Sequence, residues 1–369
     1  MIAKAGSLVG RTRSVLDRVA PATRLNPLTI KQWQRFKSIR RGYWSAIGLG
    51  IALLLSAGAE LLVNSRALVV SYQGDWYFPT YGDYIPGRTF GLDYDYETNY
   101  RELKRMFSAS SAGDWVLMPP VPYDAFENDL EAGVYPPYAP SVASRHFLGT
   151  DTTGRDVVAR LVYGFRLAFT FAAILLGCNF VIGIAIGCAM GFWGGAFDLL
   201  FQRVIEILNN VPFLYVIMIV ASVIVPGFWT LMAVMVFFGW TGMTWYMRTS
   251  TYKEKSREYV LAARALGASS KRQVASHIIP NTISVIVTFI PFSIASGITA
   301  LTAIDYLGFG LPPPTPSWGE LLSQGTRHLE SPWIGGSVVV AMVLVLLMVT
   351  YVGEAVREAF DPKQFTYYE

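Results

Sequence analysis

Six runs of predominantly apolar residues dominate the chain, at 43–63, 167–192, 205–225, 229–247, 282–304 and 333–353. Each is close to the roughly 20 residues that cross a bilayer's hydrocarbon core as a helix. In lipid a backbone must satisfy its own hydrogen bonds, so the expected fold is all-α and integral to a membrane, with six transmembrane helices. Composition agrees, since only 15% of the 369 residues are charged, against about 25% in soluble domains. Pro226 and Gly227 separate the third and fourth runs, which are expected to form a tight helical hairpin.

Charge asymmetry orients these runs. Residues 1–42 hold ten Lys or Arg and one acid, Asp17, and residues 248–282 hold seven and two acids, whereas 64–150 hold eleven acids and six bases. The basic segments and the C-terminus are therefore expected in the cytoplasm and the acidic segment outside. The chain divides into a basic segment 1–42, a first span 43–63, an outer cap 64–165, a five-span core 166–353 with the loop 248–282, and a tail 354–369. Within 25–42, Trp33, Phe36 and Ile39 alternate with five Lys or Arg, fitting an amphipathic helix on the inner membrane face or a simple topology signal. A cleaved signal peptide is the competing reading of the first span, but forty-two basic-leaning residues exceed an ordinary signal n-region.

The cap is rich in Tyr, Pro, Gly and Asp and is expected to be loop-rich, with at most short strands such as 67–72. Its aromatics Trp76, Tyr77, Phe78 and Trp115 suit a small core or, alternatively, a partner surface. Gly183, Gly187 and Gly191 form a small-xxx-small series that lets helices meet closely in lipid. Pro212 and Pro291 are expected to kink their helices, with gating hinges the other reading. Cys178 and Cys188 are ten residues apart, about 15 Å along one helix and too far for a disulfide between them.

Enzymatic signatures do not appear. No Lys follows a Gly, so the phosphate-cradling G-x-x-x-x-G-K-[ST] loop is excluded, and His146, His277 and His328 lack zinc spacing. A membrane hydrolase would need a nucleophile and base that the sequence does not display. Glu60, Asp198, Glu206, Asp305 and Glu354 raise an ion-coupled carrier or channel as the alternative function. All sit at span edges, where pairing with Arg203 or Arg357 is the simpler expectation.

The most informative charged stretch is REYVLAARALGASSKRQVASHIIPN, Arg257 to Asn281. Tyr259, Ala262, Ala263 and Leu266 fall at i, i+3, i+4 and i+7, an apolar stripe with a small-residue centre that another surface can approach. Gly267 is suited to a left-handed helix stop, and Ser270 with Gln273 fits a capping box for a second helix.

This stretch resembles the cytoplasmic EAA loop of ABC-importer permeases, with Ala262 and Ala263 on its two alanines, Gly267 on its glycine and Ile279-Pro280-Asn281 on the following L-P-N; Leu261 stands where the pattern has Glu. HFLGTDTTGRDVVARLVYGFRLA from His146, DYLGFGLPPPTPSWGELLSQG from Asp305 and GEAVREAFDPK from Gly353 are similar to the C-type dipeptide and oligopeptide permeases. RRGYWS at 40–45, SYQGDWYFP at 71–79 and the long outer segment are most similar to Yej-type E subunits, associated with oligopeptide and microcin C uptake. The resemblance implies a type I, MetI-like transmembrane domain in the bacterial inner membrane with a loop-rich periplasmic insertion after helix 1. It implies a heterodimer with a B-type permease, two ATP-binding subunits or one fused ATPase, a periplasmic solute-binding protein, a peptide substrate and a lipid surround, and no nucleic acid. ATP and Mg would sit on the partner ATPase, and this chain would bind no cofactor and catalyse nothing itself. Glu258, Tyr259, Ala262, Ala263, Leu266, Gly267 and Ala268 would couple to the ATPase, and Asp151, Arg155, Asp156, Pro313, Pro314 and Trp318 would contact the binding protein or support the gate.

Overall fold

The computed structural model describes residues 27–110, 113–130 and 133–360. Most of the basic segment 1–42 and the end of the tail 354–369, with the last residues of GEAVREAFDPK, lie outside the described residues.

The chain enters through α1 (Pro27–Ser38), α2 (Arg40–Ala57) and the short α3 (Ala59–Leu62). The amphipathic segment divides between α1 and α2 at Ile39, and its apolar side meets protein: Phe36 is buried against Ala355 and Ala359, while Arg35 pairs with Glu358 at 3.3 Å. Trp33 remains exposed, stacked on Phe36 at 5.7 Å.

Most of the described cap residues lie outside regular elements, and a small sheet and one helix give it a core. Strands β1 (Val69–Tyr72), β2 (Asp75–Tyr77) and β3 (Trp115–Leu117) form an antiparallel sheet in the order β2-β1-β3, with Val70 opposite Tyr77 on one side and Val116 on the other. Gln73 and Gly74 both take positive φ, 53° and 92°, the two-residue turn that matches the twist of a hairpin. Helix α4 (Tyr100–Ala109) is capped by Asn99, whose side chain accepts from the Arg101 and Glu102 amides. Its Tyr100, Leu103 and Phe107 bury beside Val70, Phe90, Val116 and Met118. Those residues form the cap core; of the four aromatics expected there only Tyr77 packs against it, whereas Trp76, Phe78 and Trp115 are exposed.

Among the described residues four helices are long and apolar enough to cross a membrane, or five if one bent pair counts as a span. They are α5 (Val157–Trp193), α8 (Phe228–Lys255), α10 (Ser270–Tyr306) and α12 (Pro332–Phe360); the bent pair is α6 (Gly195–Asn210) and α7 (Phe213–Val223), at 71°. The bend falls at Val211-Pro212, where proline's missing amide ends the ladder. Helix α2, the expected first span, begins on Arg40 and Arg41 and stops at Gly58, so it is shorter and more polar than these. The break between α7 and α8 falls at 224–227, as the Pro226-Gly227 pair requires. Pro291 is carried inside an uninterrupted α10. A π segment at Gln273–Ile278 precedes Pro280 and widens the turn whose carbonyls its ring would otherwise strike.

The glycine series packs α5 on α8. A Cβ on Gly183 would sit 2.7 Å from that of Met243, one on Gly187 2.5 Å from the Thr244 carbonyl oxygen, and one on Gly191 2.6 Å from that of Arg248. The contacts advance together along both helices, so α5 and α8 run parallel. The α8 C-terminus therefore lies at the end of the bundle away from the cap. The edge acids are mostly paired: Glu206 takes Arg203 at 2.5 Å, as expected, whereas Asp198 is gripped by Arg248 at 2.6 Å and Glu60 by Arg166 at 2.9 Å.

Candidate functional site

Helix α9 (Glu258–Ala265) follows α8 at that far end. Val260, 1% exposed, anchors it, while Tyr259, Leu261, Ala262 and Leu266 are exposed and Ala263 half-buried. Leu266 is 90% exposed, far more than an aliphatic side chain gains from in water. The stop after α9 is a Schellman motif: the Ala268 amide donates to the Ala263 carbonyl at 3.0 Å and the Gly267 amide to that of Arg264 at 3.0 Å. Gly267 takes φ 83°, and a Cβ there would meet nothing, so glycine answers a conformational need rather than a lack of space.

The second helix starts one residue before the expected cap. Ser269 is extended and accepts from the Arg272 amide at 3.4 Å, and Gln273 donates to the Ala268 carbonyl at 2.7 Å instead of closing a box with Ser270. From there α10 runs without a break into the membrane bundle, so a displacement of the Gly267 turn moves a spanning helix. Tyr259 donates to Glu254 at 2.7 Å, and burial followed by that bond pushes its phenol up to about 12. Glu258 is exposed and makes no ion pair among the described residues.

At the cap end the other candidate residues meet in a buried polar latch. Asp151 accepts from the Thr153 amide at 2.8 Å, the Arg155 amide at 3.0 Å and the Arg155 guanidinium at 2.7 Å. Arg155 reaches across to Glu320 on α11 (Trp318–Arg327) at 2.8 Å, and Arg160 pairs with the other Glu320 oxygen. Arg160 also donates to the carbonyls of Ala125, Pro314 and Thr315 at 3.1–3.2 Å. Burial opposes the Arg155 charge, but the Asp151 and Glu320 carboxylates outweigh it and raise its pKa. Trp318 donates to the Leu161 carbonyl at 2.9 Å and stacks on Phe165. Thr152 bonds Gln324 through both its amide and hydroxyl.

Asp156 caps α5 through the Ala159 amide at 2.8 Å and also binds His146 at 2.7 Å. His146 bonds Asp129 on its other nitrogen at 3.2 Å and stacks on Tyr123 at 3.8 Å. Burial lowers its pKa, but the two carboxylates win and hold it at about 9. Asp151, Arg155, Asp156 and Trp318 are thus inside the protein and cannot themselves touch a docking partner; Pro313 and Pro314 are exposed. Glu320, Arg160, His146 and Asp129 belong to the latch although the sequence did not single them out as site residues. The i, i+4 spacing of Asp151 and Arg155 was the available signal; Asp156 and Arg160 share that spacing, but Asp156 pairs with His146 and Arg160 with Glu320.

The helical bundle thus carries a capped, exposed helix at one end and the latched cap at the other. Residues 183–366 match the family described as the binding-protein-dependent transport system inner membrane component, and the chain belongs to that family of ABC-transporter permeases. It is accordingly a multi-pass inner-membrane protein and a membrane component rather than an enzyme. Its likeness is to the Yej branch. It is 37% identical over 344 residues to the inner membrane ABC transporter permease protein YejE of Escherichia coli (strain K12), covering 93% of this chain and 99% of that protein. It is 35% identical over 364 residues to the peptidoglycan transport system permease protein YejE of Agrobacterium fabrum, covering 92% and 94%. The oligopeptide transport system permease protein OppC of Lactococcus lactis subsp. lactis is 30% identical over 244 residues, covering 65% of this chain and 83% of that protein.

Proposed function

We propose that this chain forms half of the translocation pathway of an ATP-driven oligopeptide importer and takes its power stroke through the Gly267 turn. The observation that carries the reading is the exposed Leu266, set at the C-cap of α9 and one Gly267 turn away from the helix that continues into the bundle. An ATPase that seats α9 would cover Tyr259, Ala262 and Leu266 and, on nucleotide-driven closure, displace α10 as a rigid body. ATP and Mg then belong to the ATP-binding subunits. The other pathway half is a B-type permease, and cargo arrives on a periplasmic solute-binding protein. In this scheme α2 and the bent α6–α7 pair complete six spans, with α9 and both termini cytoplasmic. The positive charge of 248–282 supports that orientation.

The names of the relatives support peptides as cargo; peptide-nucleotide antibiotics such as microcin C are a narrower cargo class that we add as part of the proposal. The latch holds the outer end of α5 to α11, a gate support that leaves Pro313 and Pro314 as the rim presented to the binding protein. Proteoliposomes holding the complete complex should take up a labelled oligopeptide only with ATP inside reach of the ATPase and with the binding protein present. Uptake by this chain alone, driven by an ion gradient, would replace the reading with a secondary transporter.

A further inference from the structure

A cavity of about 670 Å³ opens in the cap between α4 and the segment around 122–145. Its charge is opposite to that of its surroundings. Arg101, Lys104, Arg105 and Arg145 line it with a single acid, Asp129, inside an outer segment where acids outnumber bases. Arg101, Lys104 and Arg105 lie at i, i+3 and i+4, so the helix that buries Leu103 and Phe107 in the cap core turns a basic face to the cavity.

The acids nearby are already engaged. Arg101 takes Glu127 at 2.5 Å, and Asp129 is shared between Arg101 at 3.9 Å and His146 at 3.2 Å. Among the described residues Lys104, Arg105 and Arg145 have no ion pair. Burial and then the Arg145 charge lower the Lys104 ammonium, as expected of like charges held close together. Arg145 also sits at φ 63°, a left-handed conformation that Gly or Asn would take more easily.

We propose that this cavity is a binding site for a small anionic solute carrying carboxylate or phosphate groups, held by Lys104, Arg105 and Arg145. The concave volume matches small-molecule sites of about 300–1,000 Å³ and is not the broad surface that a protein partner needs. Ser108 and Ser144 on the lining add hydroxyl donors beside the cations.

The test is calorimetric titration of the full-length chain in phosphatidylcholine nanodiscs with triglutamate, inorganic pyrophosphate and trilysine. Both anions should bind, trilysine should not, and affinity should fall as salt rises. Lys104→Gln with Arg145→Gln should weaken both anions by at least about tenfold, through loss of two charge-assisted contacts, while Arg145→Lys retains binding. Arg145→Gly separates folding from binding, because it relieves the strained φ and should melt no lower while losing affinity. Failure of either anion to bind, or equal binding by the Lys104/Arg145 double variant, would overturn the proposal. So would loss of the anions on adding phosphatidylglycerol to the nanodiscs, which would assign the cations to lipid headgroups.

Discussion

Glu320→Gln tests the latch most severely. Arg160 is fully buried and Arg155 nearly so, and they share two carboxylates, Asp151 and Glu320, so the cluster is neutral as it stands. Gln at 320 keeps the shape, removes one charge and leaves two guanidinium groups facing Asp151 alone. Removing one partner of a buried pair costs about 3–5 kcal/mol. The cost falls on the opening of the segment that carries the Asp151 amide bond to the Arg155 carbonyl, 2.8 Å, and the Val157 amide bond to that of Gly149, 3.1 Å. If those amides exchange by local opening, their protection should drop by about 2–4 powers of ten, read by hydrogen exchange mass spectrometry in nanodiscs. Arg155→Met added to Glu320→Gln restores neutrality and should recover part of the loss, a coupling of at least about 1 kcal/mol. Protection within a factor of about two of wild type in Glu320→Gln, or strict additivity of the pair, would refute the claim that this cluster locks cap to bundle.

Three further outcomes follow from single features. His146 is raised to about 9 in the folded chain, from 6.5. Its stabilisation is therefore complete below pH 6.5 and is lost as pH rises through 9; thermal stability should fall over that window by at most roughly 3 kcal/mol, and His146→Gln should flatten the profile. Gly187→Leu should disrupt the α5–α8 contact, since even its Cβ meets the Thr244 carbonyl at 2.5 Å, and assembled protein recovered from membranes should drop while an exposed change such as Val340→Leu has no effect. At the α9 turn, Gly267→Ala should cost about 1 kcal/mol through its φ of 83°. Gly267→Pro and Ala263→Glu should instead separate ATP hydrolysis from uptake while leaving membrane insertion intact; uptake at the wild-type rate would deny the coupling role.

The features legible in the sequence were those whose physics is local. Apolar runs marked four spans, and a fifth if the bent α6–α7 pair is one span, because length and composition decide them, whereas the first run gave a helix too short and polar to join them. Gly267 marked a left-handed stop because few other residues tolerate one. Gly183, Gly187 and Gly191 marked a close contact, although not its partner α8. The latch was hidden for the opposite reason: Glu320 meets Arg155 and Arg160 across more than 150 residues, and His146 finds Asp129 and Asp156 only after the cap folds. Its members therefore looked like surface contacts when read one by one. The cap core followed Val70, Phe90 and Val116 instead of Trp76, Phe78 and Trp115 because strand alternation, not aromatic content, chose the buried face. Ser269 displaced Ser270 as the cap because two adjacent serines are equivalent until backbone dihedrals separate them.

The central claim is that the exposed face of α9 is the seat of an ATP-binding subunit. Leu266→Cys offers the most direct measurement, since the native Cys188 is buried and Cys178 lies mid-helix in α5. In membranes holding the whole complex, a short thiol cross-linker at position 266 should join this chain to the ATP-binding subunit in high yield, and Val142→Cys in the cap should not. Position 266 labelling freely with a water-soluble maleimide in the assembled complex, with no cross-link to that subunit in any nucleotide state, would contradict the account.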